Sequence, residues 1–179
     1  MPRMFSYRHA FHAGNHADVL KHTALIAVLR HMTQKDTALN VFDTHAGAGL
    51  YRLDGDYAQT SGEAADGYLR LISRQNEALA LADNAQLATN LAATKLPAAA
   101  PLAAALQDYL DLVASFNTSG RQQVYPGSPF IINHLLQGRD RDRLKLFELH
   151  PTDAKTLARR SARIRPQTVC RTIGASAAT

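Results

Sequence analysis

The chain has 179 residues, 46% hydrophobic and 20% charged, with a formal net charge of +5. That length fits one domain with a modest insertion, and that balance excludes a disordered chain, while the basic excess favours polyanionic partners without requiring them. A single cysteine, Cys170, excludes an internal disulfide, and neither a signal peptide nor an apolar run of the roughly 18 residues a spanning helix needs is present, so a cytoplasmic protein with no membrane contact is expected.

In chain order, the first predicted element is a helix over 15–32. Asn15 caps it and Asp18 sits in its first turn, where the macrodipole favours an acid. Leu20, Ala24, Ala27, Val28 and Met32 recur at helical spacing and predict the core-facing stripe. A short apolar run over 38–42 reads as a buried strand ending at Asp43, and a glycine-bearing loop follows it directly. From about residue 60 to 117 alanine and leucine dominate. Helical spacing shows around Tyr68, Leu69, Leu71 and Ile72, and again around Leu102, Leu106, Tyr109, Leu110 and Val113, with a proline-flanked turn at 96–101.

Strand-helix alternation then resumes. Ser128 and Pro129 suit the N-cap and first position of a helix covering 130–137. A strand over 144–149, an arginine-rich helix over 152–164 and a strand over 168–172 complete the pattern, with a small-residue tail at 173–179. This alternation predicts an α/β fold with a parallel sheet. It divides the chain into an N-terminal helix, first strand and glycine loop (1–59), a helical insertion (60–120) and the rest of the core (121–179).

The loop Asp43-Thr44-His45-Ala46-Gly47-Ala48-Gly49 places glycines four and six positions after an acid at a strand end. Glycine allows a sharp turn and a close backbone approach to a ligand. Such pairs also serve dinucleotides and plain turns. Glu148, at the end of the second predicted strand, is where doubly wound folds place an acid that accepts ribose hydroxyls, although the usual spacing is only ~20 residues. The helical insertion accounts for the longer gap. Ser128 either caps its helix for structural reasons or presents free N–H groups to a carboxylate.

The densest polar and aromatic stretch runs from Tyr7 to His22. His12 and His16 stand at i and i+4, a spacing that could share a metal with Asp18, although no third ligand is specified. Alternatively, Tyr7 stacks on a nucleic-acid base while Arg8 and Lys21 meet phosphates.

Five segments carry a resemblance in order: Ser6-Tyr7-Arg8-His9; Phe11-His12-Ala13-Gly14-Asn15-His16-Ala17-Asp18-Val19-Leu20-Lys21-His22; Asp43 to Gly49 as spelled above; Tyr125-Pro126-Gly127-Ser128-Pro129; and Glu148-Leu149-His150-Pro151. Together they resemble the ribosomal RNA large subunit methyltransferase J family, which methylates N6 of an adenine in 23S rRNA. The resemblance implies a Rossmann-like class I methyltransferase fold, S-adenosyl-L-methionine as cofactor and 23S rRNA as partner, with no metal. By it, His22, His45, Ser128 and Glu148 line the cofactor site and Tyr7 contacts the RNA.

One part of the pattern is missing. Amino-adenine methyltransferases carry an Asp/Asn-Pro-Pro-Tyr/Phe motif, whose oxygen acceptors draw the ring-conjugated nitrogen towards tetrahedral geometry while its aromatic ring stacks on the base. The chain contains no Pro-Pro pair. No catalytic residue is therefore assigned within it, and the expected fold is truncated and catalytically incomplete. Two other readings compete: a non-catalytic nucleic-acid-binding module, and a metal-dependent enzyme of DNA catabolism built on the histidine cluster.

Overall fold

The computed structural model describes residues 8–88, 102–117, 121–161, 164 and 168–172. A 3-10 turn at His9–Phe11 leads into α1 (His16–Met32), β1 (Asn40–Asp43) and β2 (Leu50–Arg52). Four helices follow: α2 (Asp56–Ser61), α3 (Glu63–Asp66), α4 (Tyr68–Ala88) and α5 (Ala104–Ala114). The chain returns through β3 (Val124–Pro126), α6 (Ser128–Leu135), β4 (Arg143–Glu148), α7 (Pro151–Ser161) and β5 (Thr168–Thr172).

Three strands form a parallel sheet in the order β1-β4-β5, with Asp43 opposite Leu146 and Glu148 opposite Thr172. The central strand β4 buries Leu144 and Leu146, in line with the period-two alternation of a strand. Buried Asp142 sets the start of this sheet. Its Oδ1 accepts from Leu39 N–H at 2.9 Å and its Oδ2 from Arg139 Nε at 2.6 Å, while Arg139 also donates to the Thr37 carbonyl at 2.8 Å.

The second sheet is a two-stranded antiparallel ribbon of β2 and β3, with Tyr51 opposite Tyr125. It brackets the helices between residues 56 and 114 and joins them to the parallel sheet. Asn117 locks the end of α5 to β3. Its amide nitrogen donates to the Val113 and Val124 carbonyls at 3.1 and 2.8 Å, and its oxygen accepts from Gln123 and Val124 N–H at 3.0 and 2.9 Å. A buried side chain with every polar group used is a fixed joint.

The apolar interior has two parts that meet along α1. Ile26 packs with Tyr68, Tyr109, Leu110, Tyr125 and Ile131 against the helical segment. Leu29, one turn on, packs with Phe130, Leu136, Leu144, Leu146 and Leu157 against the sheet.

The expected elements appear within a few residues of their anticipated bounds, and Asn15 caps α1 by accepting from Asp18 N–H at 2.9 Å. Three readings need correction. The stripe assigned to the core of α1 faces outwards: Leu20 is 74% exposed, Val28 55% and Met32 46%, whereas Asp18, His22, Ile26 and Leu29 are buried. The inward face follows the contacts of α1 with α5 and α6, and two polar side chains occupy it. Ser128 is the first residue of α6 and not its cap. Gly127, in extended conformation, holds the cap position, and its carbonyl accepts from Phe130 and Ile131 N–H at 3.1 and 3.2 Å. The short strands β2 and β3 were not anticipated. The expected turn at 96–101 and the tail at 173–179 lie outside the described residues.

Candidate functional site

The site lies beyond the carboxyl ends of β1 and β4, where parallel sheets commonly bind ligands. The loop leaving β1 turns on Gly47 (φ +61°) and Gly49 (φ +83°). A side chain at Gly49 would meet Phe130 at 2.7 Å, so the loop lies directly on α6. Gly127 closes in from the other side, donating its N–H to the Gly49 carbonyl at 2.7 Å. A Cβ there would meet that same carbonyl oxygen at 3.0 Å. Two backbone segments thus pack where only glycine leaves room.

Glu148 fastens the loop to β4. Its Oε2 accepts from Gly47 N–H and its Oε1 from His150 N–H, both at 2.7 Å, while Ala46 N–H donates to the Phe147 carbonyl at 3.0 Å. Each carboxylate oxygen retains a lone pair for a further donor. Tyr51 supports the turn, accepting from Ala48 N–H at 3.1 Å, and burial raises its phenol pKa well above the usual value.

A cavity of about 410 Å³ opens against this loop, within the range of small-molecule sites. His22, His45, Ser128 and Glu148 all line it, so the four residues expected at a cofactor site surround one space. His45 is exposed, its Nδ1 2.9 Å from Thr44 Oγ1 and its backbone N–H donating to Asp43 Oδ1 at 3.2 Å. Ser128 starts α6, whose first-turn N–H groups and dipole favour an anion. Tyr7, the expected RNA contact, lies outside the described residues.

Sequence reasoning placed none of four other lining residues at the cofactor site, and read Lys21 only as a phosphate contact. His9, Lys21 and His150 bring basic groups to the cavity lining, and Asp153 adds a second carboxyl to that of Glu148. Burial, with added repulsion from Glu148, lifts the Asp153 carboxyl above its ordinary pKa. A lining that holds both basic groups and carboxyls suits a ligand that carries both signs of charge.

Buried Asp18 organises His9 and Lys21. Its Oδ2 lies 2.9 Å from His9 Nε2 and accepts from Gly14 N–H at 3.1 Å, while its Oδ1 is 2.7 Å from Lys21 Nζ. Burial alone would raise its pKa. The hydrogen bonds from His9 and Lys21 and the electrostatic pull of His9 override that and hold the carboxyl far below the usual range. His12 turns elsewhere, with its Nδ1 2.9 Å from Glu63, and His16 is exposed. Among the described residues no group of three or more His, Cys, Asp or Glu side chains is arranged to hold a metal, and no helix is long and apolar enough to cross a membrane.

Comparison with known proteins bears on this arrangement. The family model described as "Ribosomal RNA large subunit methyltransferase D, RlmJ" matches residues 36–95 and 89–177. The ribosomal RNA large subunit methyltransferase J of Escherichia coli K12 is 40% identical over 150 residues, covering 84% of this chain and 44% of that protein. Its Haemophilus influenzae namesake is 36% identical over 151 residues, with the same coverage. The chain therefore spans less than half the length of these relatives. A crystal structure of a Legionella pneumophila protein, 26% identical, shares the fold with a TM-score of 0.59 over 89% of this chain and 48% of that one. The family match covers most of the sequence, including both strands that carry the site, and the chain belongs to the RlmJ family of ribosomal RNA large subunit methyltransferases.

Proposed function

We propose that this chain forms the S-adenosyl-L-methionine site of an enzyme that methylates N6 of an adenine in 23S rRNA, on a Rossmann-like class I methyltransferase fold, in the cytoplasm. The observation that carries the reading is the meeting of Glu148, the Gly47–Gly49 turn and the start of α6 around one cavity at the ends of β1 and β4. The residues fit the cofactor. Gly47 brings backbone without a side chain to the cavity lining, where a narrow group can approach closely. Glu148, oriented by two backbone N–H groups, keeps acceptor capacity for a pair of ribose hydroxyls. Ser128 and the first turn of α6 suit the carboxylate of the amino-acid end. His22 and His45 complete the lining.

The bound cofactor would supply an electrophilic methyl group on a sulfonium. This chain's contribution is to bind and orient it. Activation of the adenine amine needs acceptors of the Asp/Asn-Pro-Pro-Tyr/Phe type, and the sequence contains none. The reading therefore assigns these residues the cofactor side of the reaction and assigns Tyr7 the RNA side.

Calorimetric titration with S-adenosylhomocysteine tests the site. Glu148→Ala removes hydrogen bonds to a charged acceptor worth about 1.5–3 kcal/mol, so affinity should fall roughly ten- to a hundred-fold. Glu148→Gln, which keeps the shape and one acceptor, should lose less. Unchanged affinity in folded Glu148→Ala protein would remove Glu148 from the site, and no binding by the parent chain would overturn the reading.

A further inference from the structure

Behind the cavity wall, three buried side chains form a line. His22 Nδ1 lies 3.0 Å from the Tyr125 hydroxyl, which lies 3.1 Å from the Tyr109 hydroxyl. His22 is 1% exposed, and both tyrosines are fully buried. His22 lines the cavity while its Nδ1 points to the tyrosines, and its Nε2 makes no hydrogen bond among the described residues.

Counting hydrogens determines the direction of this line. Three polar atoms in a row have two gaps, and the two phenolic hydrogens fill both: Tyr109 donates to Tyr125, and Tyr125 donates to His22 Nδ1. A hydrogen on Nδ1 would be a third. Whichever way the hydroxyls then rotate, one buried hydrogen lacks an acceptor among the described residues. An orphaned buried donor is costly. A penalty equivalent to roughly ten- to a hundred-fold in population is about 1.4–2.8 kcal/mol.

We infer that Tyr109 and Tyr125 are positioning residues that hold His22 as the neutral Nε2–H tautomer, so that it presents an uncharged N–H donor to a hydrogen-bond acceptor on the bound ligand. The imidazolium would also need a hydrogen on Nδ1, so the same count disfavours it. Burial acts in the same direction, bringing the His22 pKa down to about 4 despite the opposing pull of Asp18. An uncharged donor suits a pocket that already holds Lys21, because it recognises an oxygen without adding a cation. The identity of that oxygen as one of the cofactor's rests on the function proposed above. The tautomer does not.

Long-range proton–nitrogen spectra of the histidine rings of this chain read the tautomer directly, with His22 assigned by the signals missing from His22→Gln. At neutral pH, Nδ1 should be pyridine-like and Nε2 pyrrole-like, with no second form above about a tenth. In the double variant Tyr109→Phe/Tyr125→Phe, which removes both hydroxyls and orphans neither, the two nitrogens should shift towards averaged values. A pyrrole-like Nδ1 in the parent chain overturns the inference even if no variant folds, and so does an unchanged tautomer in the double variant. Titration with S-adenosylhomocysteine supplies the ligand arm. Affinity should fall several-fold in the double variant, and equal affinity despite a mixed tautomer would overturn the donor role. No binding by the parent chain would refute the cofactor reading, while the spectra would still decide the tautomer.

Discussion

Replacing Asp18 by asparagine should loosen the N-terminal turn from α1 and destabilise the chain. The carboxylate receives three donors: His9 Nε2 at 2.9 Å, Gly14 N–H at 3.1 Å and Lys21 Nζ at 2.7 Å. Asparagine keeps one oxygen acceptor, which can retain Gly14. Its NH₂ group then confronts another donor, and the charge that compensates His9 and Lys21 is gone. A hydrogen bond to a buried charge is worth about 1.5–3 kcal/mol, and breaking a buried pair costs about 3–5 kcal/mol. Lys21 is 58% exposed, so solvent screens its share of the loss. A net cost of about 2–4 kcal/mol follows. With a urea slope of roughly 2 kcal/mol/M, the unfolding midpoint at pH 7 should drop by roughly 1–2 M.

The acid limb of the same experiment provides an independent sign. The Asp18 carboxyl is held well below its ordinary pKa of 3.8. Its contribution is therefore complete above that value and lost as pH falls towards the folded pKa. The gap between parent and Asp18→Asn should be constant from neutral pH down to about 5 and narrow progressively below 4. An unchanged midpoint at pH 7 would show that the three contacts carry no net stability. A gap that failed to narrow in acid would show that the carboxylate's charge is not responsible for it.

His22 titrates in a different window. Burial lowers its pKa from 6.5 to about 4, so the unfolded chain binds more protons between those values and stability must fall as pH drops from 6.5 towards 4. A shift of that size is about 3 kcal/mol, and His22→Gln should remove this slope from chemical-denaturation curves collected across the window. Gly49→Ala forces a side chain into a φ of +83° and against Phe130. It should cost at least about 1–2 kcal/mol in a thermal melt and abolish S-adenosylhomocysteine binding in calorimetry, whereas parent-like behaviour in both would show that the turn tolerates a Cβ.

The parts of this fold legible in the sequence are those fixed within a few residues. The Asn15 cap needs only Asp18 N–H. The strand at 143–148 alternates because one central strand buries every second side chain. The glycine loop was legible because an acid, a turn and two glycines are contiguous. The ribbon of β2 and β3 was not. Each strand has three residues, and the partners Tyr51 and Tyr125 are separated by the whole helical segment. His9, Lys21 and Asp153 join the site only through tertiary packing, and Asp18 marked a helix start in the sequence without revealing that it anchors two bases.

The orientation of α1 is the most informative difference. Apolar periodicity selects a face on the assumption that the buried side of a helix is the apolar side. In α1 that assumption fails at two positions. Asp18 and His22 lie on the inward face with Ile26 and Leu29, and each is buried only because a partner satisfies it: His9, Gly14 N–H and Lys21 for the aspartate, and the Tyr125 hydroxyl for the histidine. A buried charge or imidazole has a cost that pairing offsets, and local rules are broken most often where a site requires such groups. The position of Asp18 and His22 among apolar residues, read as a conflict with the helical pattern, is itself the signal that α1 meets a polar site, and His22 on this face does line the cavity.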